Sequence, residues 1–155
     1  FSEGVAAVYV GAKWGFVDKT GTFVIKPQFD YGLGPKFSEE LAAVEVGGQC
    51  GFVNKSGTYV IKPQFDFAWP FSEGLASVKM GGKLGFVDKT GTIVIEPQFD
   101  YSGVFGGSMF SEGLAPVQVG RRWGFVDKLG EFAINPQFEN ISAPLWVLDY
   151  IVVSR

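Results

Sequence analysis

Apolar and polar residues alternate along short stretches of the chain, and Gly-rich segments separate these stretches. The first stretch is Val5–Val10, and two similar stretches follow at residues 14–18 and 22–26. Alternation with a period of two is typical of half-buried β-strands. Short connections such as Gly11-Ala12 and Asp18-Lys-Thr-Gly21 favour tight turns between the strands. The pattern predicts a three-stranded antiparallel meander, with Ala6, Val8 and Val10 on its core side.

This pattern occurs four times. Each copy opens with Phe-Ser-Glu, at Phe1, Phe37, Phe71 and Phe110, and runs for 30 residues to Pro-Gln-Phe-Asp or Pro-Gln-Phe-Glu. All length variation lies in the connectors, residues 31–36, 67–70 and 101–109. A fixed unit with variable connectors is typical of stacked repeats. We predict one repeat domain over residues 1–155, with units 1–36, 37–70, 71–109 and 110–145 and a degenerate capping strand at 146–155.

The predicted fold class is all-β, and two architectures fit it. Tandem meanders can stack into an open β-repeat array, or they can close into a propeller-like ring. A ring commonly closes by sharing one blade between its termini, whereas this chain begins with a complete unit and ends with a surplus strand. This arrangement favours the open array, with the closed ring as the alternative.

The repeated motif also resembles a known family. Lys-Trp-Gly-Phe-Val-Asp-Lys-Thr-Gly at residues 13–21, followed by Pro-Gln-Phe-Asp at 27–30, resembles the WG repeat, also called the KWG repeat. The resemblance covers residues 1–139. Cys50 and Leu84 stand where the family has Trp, while the following Gly51 and Gly85 are kept. The resemblance implies an all-β repeat found mainly in bacterial proteins, with no general assigned activity and no catalytic residue to carry over.

Composition narrows the possible functions. The chain has no His, which removes the commonest general base and metal ligand. Its net charge of −3 argues against a nucleic-acid partner, and no apolar run approaches the length of a membrane span. We therefore expect no enzyme activity, no cofactor, no nucleic-acid binding and no membrane insertion. The single Cys50 takes a Trp or Leu position, which favours a packed thiol.

Several repeated polar residues could suggest chemistry. Asp18-Lys-Thr-Gly-Thr22 resembles the phosphorylated-aspartate signature of cation-pumping ATPases, but the second copy carries Asn54, which cannot be that nucleophile. Glu and Asp also recur in every unit, as candidates for glycosidase or calcium chemistry. Because an active site is usually built once, we interpret them as groups that bond turns and neighbouring amides. Gln28 and its equivalents predict a hydrogen-bonded ladder between adjacent units.

The positions that differ between units are the candidates for binding, because repeat arrays keep the scaffold and vary the surface. The candidate binding residues, on the first strands and the connectors, are Tyr9, Tyr31, Glu45, Phe67, Trp69, Lys79, Tyr101, Phe105 and Gln118. Connector aromatics are candidate anchors for a partner, or plugs that fold back between units.

These residues predict a non-enzymatic binding or scaffold module that mediates protein–protein interaction. The alternatives are a carbohydrate or cell-wall binding array and a purely structural spacer. Trp14 and Trp123 could stack on sugars, although their position within a strand favours the core. Because the sequence starts in mid-pattern at Phe1, we expect it to be part of a larger protein.

Overall fold

The computed structural model describes residues 1–30, 35–101 and 108–141. Within these ranges the chain is all-β, without helix, and its sheets are antiparallel and open. The strands, in chain order, are β1 Val5–Val10, β2 Lys13–Asp18, β3 Phe23–Phe29, β4 Phe37–Ser38, β5 Leu41–Val46, β6 Gln49–Val53, β7 Tyr59–Phe65, β8 Phe67–Ala68, β9 Leu75–Met80, β10 Lys83–Asp88, β11 Ile93–Asp100, β12 Ala115–Val119, β13 Arg122–Val126 and β14 Phe132–Phe138.

Each unit is the predicted three-stranded meander. In the first unit β1 pairs with β2 from Val5–Asp18 to Val10–Lys13, and β2 pairs with β3. Successive meanders approach each other where the third strand of one unit ends. Between the third and fourth units Asp100 pairs with Gln118, which joins them into a seven-stranded sheet. The prediction of an all-β, open repeat array is therefore confirmed.

The core lies between units, in three apolar clusters. In each cluster the back face of one unit packs on the front face of the next. We define the back face by the positions of Val5, Trp14, Phe16, Ile25 and Phe29 in unit 1. The front face is defined by the positions of Phe37, Ala42, Val44 and Val53 in unit 2. Both faces of an internal meander are consequently buried, so a single unit has no complete core of its own.

The predicted core side of the first strand is only partly correct. Ala42 and Val44 are buried, whereas the valines at the ends of these strands, Val10, Val46 and Val119, are exposed. These valines lie beside the β-hairpin tips, beyond the edge of the neighbouring meander.

The glycine after the Trp position allows the backbone of the third strand to approach closely, and it is not part of a turn. Gly15 lies within β2, opposite a bulge in β3, where the register shifts between Trp14–Phe29 and Phe16–Ile25. A Cβ at Gly15 would come within 2.6 Å of Pro27 N and 2.7 Å of Ile25 O. Backbone atoms cannot give way, so only glycine fits. The same bulge lets β3, an edge strand of its sheet, continue past Pro27 to Phe29.

The connector at residues 67–70 also differs from expectation. Phe67–Ala68 forms the short strand β8, which pairs with Val78 and Lys79. Pro116 lies in β12 opposite Phe125, while β11 reaches β12 only at Gln118. The missing N–H of this proline therefore costs no ladder hydrogen bond on that side.

Candidate binding surface

The Asp-Lys-Thr-Gly segment is a turn, as the sequence suggested. Asp18 Oδ1 accepts hydrogen bonds from the Thr20 amide at 2.8 Å and from the Thr22 amide at 3.1 Å. Gly21 has a φ of +83°, a conformation that favours glycine. Asn54 Oδ1 makes the same contacts in unit 2. These hydrogen bonds lower the pKa of Asp18, with the Thr20 hydroxyl as the largest cause, so the carboxylate serves the turn.

The Phe-Ser-Glu segments link consecutive units. The Ser38 hydroxyl donates to the Phe71 carbonyl at 2.7 Å, and Ser2 and Ser72 make the same bond to the next unit. Glu39 Oε1 accepts the amide of Gly74 at 2.9 Å. Glu39 itself has a φ of +51°, which is uncommon for a residue with a side chain. This conformation accompanies the contact with the next unit.

An ion pair accompanies each of these links. The glutamate of one unit contacts the lysine in the Asp-Lys or Asn-Lys turn of the next, at 3.3–3.4 Å, in three pairs: Glu3–Lys55, Glu39–Lys89 and Glu73–Lys128. We call this side of the array, with the Phe-Ser-Glu segments and the Asp-Lys turns, the turn rim. The repeated carboxylates are therefore structural on this rim, as interpreted from their fourfold repetition.

The predicted glutamine ladder is wrong. Gln28 Nε2 donates to the carbonyl of Lys26, two residues earlier, at 3.2 Å, and the other three glutamines make the same local bond. These bonds lie within the bulge of the third strand. They satisfy a carbonyl that the bulge removes from the ladder.

The opposite side of the array, which we call the hairpin rim, contains the hairpin tips such as Gly11-Ala12 and the aspartates that end the first three units. Asp30 Oδ2 accepts the amide of Gly47 in the next hairpin at 2.8 Å, while Asp30 Oδ1 pairs with Lys13 of its own unit. The Lys13 contact and then the Gly47 amide hold the pKa of Asp30 below its usual value. Asp30 therefore holds two successive hairpins together, and Asp100 does the same through Lys83 and the amide of Gly120.

The variable first-strand positions lie along the hairpin rim. Each is opposite the WG tryptophan position of its own unit, in four pairs: Tyr9–Trp14, Glu45–Cys50, Lys79–Leu84 and Gln118–Trp123. Tyr9 is 58% exposed, and the other three are half-buried. The rim thus presents an aromatic, an anionic, a cationic and an amide side chain at equivalent places on one scaffold.

Four candidates meet in one cluster at this rim. The Phe67 and Trp69 rings lie 4.7 Å apart, the Trp69 and Tyr101 rings 5.6 Å apart, and Lys79 Nζ lies 4.7 Å from the Tyr101 ring centroid. Trp69 is only 6% exposed and packs in the core between units 3 and 4. Tyr101 is exposed and forms the outer surface of this cluster. The cation–π contact was not foreseen, because it joins Lys79 of β9 to Tyr101 at the end of β11, two residues that are distant in the sequence.

Two candidates, Tyr31 and Phe105, lie outside the described residues. Trp123 is buried and Trp14 is half-buried against the first core cluster. These positions favour packing over sugar stacking for the two indoles. Cys50 is buried between units 2 and 3, and burial followed by the charge of Glu45 raises the pKa of its thiol to about 11. Its thiol is consequently protonated at neutral pH.

Over the described ranges, no group of three or more His, Cys, Asp or Glu side chains is arranged to hold a metal ion. None of the described segments is a helix long and apolar enough to cross a membrane.

Comparison with known proteins connects this geometry to a family. The model of the "WG containing repeat" family matches residues 14–50, 51–83, 85–122 and 123–144. Each of the first three matches runs from the second strand of one meander into the second strand of the next, so these matches include the contact between neighbouring units. No curated protein matches the chain.

Solved structures resemble the fold, and they are β-propeller or repeat-like. A eukaryotic initiation factor matches with a TM-score of 0.55 and 15% identity, over 82% of this chain and 38% of the other. The computationally designed Ika4 protein matches with a TM-score of 0.54 and 11% identity, over 82% and 87%. HIRA(644-1017) matches with a TM-score of 0.53 and 9% identity, over 82% and 46%. The chain thus spans less than half of two of these three.

Proposed function

Because the chain belongs to the WG repeat family, we propose that it is a non-enzymatic binding module that holds a protein partner on its hairpin rim. The family and the β-repeat fold support a binding or scaffold module in general. The choice of a protein partner rests on the surface itself.

The observation that carries the proposal is the contrast between constant and variable positions on one scaffold. The turn rim repeats the same Ser, Glu and Lys contacts between units. The hairpin rim repeats the Asp contact but changes the first-strand residue beside it in every unit. A regular backbone that presents a different side chain in each repeat is how repeat proteins build extended binding surfaces.

The chemistry of the variable positions fits a protein surface of mixed character. Tyr9, Glu45 and Lys79 provide an aromatic ring and both signs of charge. Tyr101 adds an exposed ring that the buried Trp69 supports from beneath. Rigid aromatic residues surrounded by polar groups are the usual anchors of protein interfaces.

The test uses a photo-crosslinking amino acid at position 101 and, as a matched control, at position 129. Leu129 is 77% exposed but lies on the turn rim. A protein crosslinked from position 101 and not from position 129 is then purified, and its affinity is measured by calorimetry. We expect Tyr101→Ser or Lys79→Glu to weaken this affinity about tenfold or more, as for residues at the centre of an interface.

Leu129→Ser should leave the same affinity unchanged. Equal crosslinking from both positions, or equal affinity of the Tyr101→Ser and Leu129→Ser variants, would contradict the assignment to the hairpin rim. All three substitutions change exposed or half-buried side chains, so circular dichroism can confirm that the fold is retained.

A carbohydrate ligand is the second candidate. The exposed ring of Tyr9, 5.2 Å from the Trp14 ring, favours it because sugars stack on accessible aromatic faces. Cell-wall polysaccharide should then quench tryptophan fluorescence, and Tyr9→Ser should abolish the quenching. Absence of quenching in the unmodified chain would reject this candidate, and Tyr101→Ser serves as the control.

A further inference from the structure

On the hairpin rim, three of the four units place a cation from their own hairpin on the acid that ends the unit. The pairs are Lys13–Asp30, Lys83–Asp100 and Arg122–Glu139. In unit 2 the hairpin residue at this position is Gln49 and the acid is Asp66, and among the described residues Asp66 forms no ion pair. Unit 2 therefore lacks the cation that the same place holds in the other three units.

Asp66 keeps only one of the two contacts that its equivalent in unit 1 makes. Asp30 Oδ2 accepts the amide of Gly47 in the next hairpin, while Asp30 Oδ1 pairs with Lys13. Asp66 Oδ2 likewise accepts the amide of Gly81, at 2.9 Å. Its Oδ1 forms no hydrogen bond or ion pair with any residue that the structure describes. The backbone contact thus positions the carboxylate and leaves one oxygen for another donor.

A second carboxylate, that of Glu45, lies beside Asp66. Glu45 is opposite Cys50 on one side of β6, and Phe65, which precedes Asp66, is opposite Cys50 on the other side. Burial is the largest cause of the raised pKa of Cys50, and the charges of Glu45 and then Asp66 raise it further. Across residues 1–30, 35–101 and 108–141, the Glu45 side chain forms neither an ion pair nor a hydrogen bond. Two carboxylates without a cation therefore flank this thiol.

The cations of the next hairpin are engaged elsewhere. The Lys79 carbonyl accepts the amide of Asp66, but Lys79 Nζ lies over the Tyr101 ring, 4.7 Å from its centroid. Lys83 pairs with Asp100. Residues 31–34, which follow unit 1, contain no Lys or Arg. Charge complementarity at this place therefore favours a cation that a partner supplies.

We propose that unit 2 is where the hairpin rim binds a Lys or Arg side chain of the protein partner, with its charge between Asp66 Oδ1 and Glu45. The partner's cation would take the place that Lys13 has in unit 1. Three units of the same array already hold a cation there, so the backbone of the rim accommodates one. This inference rests on the proposed function, since it names the chemistry of the partner at the same rim.

The variant Gln49→Lys tests the proposal because it supplies the missing cation from within the chain. Its ammonium group should pair with Asp66, as Lys13 does with Asp30, and so exclude the cation of the partner. We expect the affinity for the protein crosslinked from position 101, measured by calorimetry, to fall about three- to tenfold, as for a partly exposed charge pair. Gln28→Lys makes the same change at an exposed site on the third strand of unit 1 and should leave the affinity unchanged.

The site can also be probed without the partner. In a titration with the peptide acetyl-Gly-Arg-Gly-amide followed by NMR, we expect the amide resonances of Gln49 and Gly81 to shift in the unmodified chain. They should not shift in Gln49→Lys, nor with acetyl-Gly-Glu-Gly-amide. The variant Asp66→Asn, whose amide oxygen can still accept the Gly81 N–H, should reduce the shifts because it removes only the charge.

The two experiments separate this inference from the proposed function. Equal affinity of the unmodified chain and Gln49→Lys for the crosslinked protein would overturn the cation site and leave protein binding at the rim intact. Arginine-peptide shifts that are absent from unit 2, or equal in Gln49→Lys, would overturn the site as well. Specific shifts at unit 2, together with no protein crosslinked from position 101, would support the cation site and reject the protein partner.

Discussion

Phe65 and Phe138 occupy the same position in their units, yet Phe65 is 0% exposed and Phe138 is 40% exposed. Phe65 belongs to the cluster between units 2 and 3, where Ala76 and Val78 of the next front face cover its unit. Phe138 lies in the last described meander. The difference shows that the neighbouring unit, rather than the residue or its strand, determines burial. Matched substitutions at an internal and a terminal unit can test this.

The largest difference is expected for truncation of these two rings. Phe65→Ala should lower the free energy of unfolding by about 3–5 kcal/mol, because it leaves a cavity between two meanders. Phe138→Ala should cost about 1 kcal/mol, since much of its ring already contacts solvent. Urea unfolding of both variants measures the difference. Equal losses would show that the terminal face is covered as well as the internal one.

Enlarging a small front-face residue is the next test. Ala42 is completely buried against unit 1, so Ala42→Leu should overpack the contact and cost about 1–3 kcal/mol. Ala6 holds the equivalent place on the open front face, and Ala6→Leu should change stability by about 0.5 kcal/mol or less. Thermal unfolding of the pair provides the comparison. A large loss at Ala6 would mean that its face has no free space.

A substitution at an internal position can also increase the stability of the protein. Ser77 is completely buried, and within the described residues its hydroxyl has no hydrogen-bond partner. Units 1 and 2 carry Ala7 and Ala43 at this position. Ser77→Ala should therefore raise the free energy of unfolding by about 1 kcal/mol, because an unsatisfied polar group is removed. Ser56→Ala, which removes an exposed hydroxyl bonded to Asn54 at 2.7 Å, should bring no gain.

The smallest effect concerns pH. The pKa of Glu73 is lowered from its ordinary value of 4.5, first by the Gly113 amide and then by Lys128 of the next unit. A lowered folded pKa adds stability that is complete above 4.5 and is lost as the pH falls through the folded value. Glu73→Gln should therefore lower the urea midpoint at pH 7 more than at pH 3. Glu112→Gln, which changes a glutamate without an ion pair among the described residues, should change the midpoint less, and a loss independent of pH would contradict the role of the charge.

The sequence was informative about single units and less so about the contacts between them. The meander, the turn role of Asp18 and the structural role of the repeated glutamates could be predicted, because strand alternation and turn chemistry are local properties. The local bond of Gln28 and the continuation of β3 past Pro27 could not. Both depend on a bulge whose position is set by pairing with β2.

The candidate surface was likewise predictable where it depends on a single unit and not where it depends on contacts between units. Variation between units pointed to Tyr9, Glu45, Lys79 and Gln118, and these positions line one rim. The sequence does not show which of the connector aromatics is buried, because Trp69 and Tyr101 both lie in connectors between units. In the fold, Trp69 enters the core between units and Tyr101 stays at the surface.

The sequence by itself determined the repeated meander, its turns and the positions that vary, because each depends on residues close together in the chain. Only the tertiary structure decided which equivalent residues are buried and why Gly15 admits no side chain. These features depend on backbone contacts across a bulge and on the presence of a neighbouring unit. Four nearly identical units therefore share one local structure, while their solvation differs from the ends of the array to its middle.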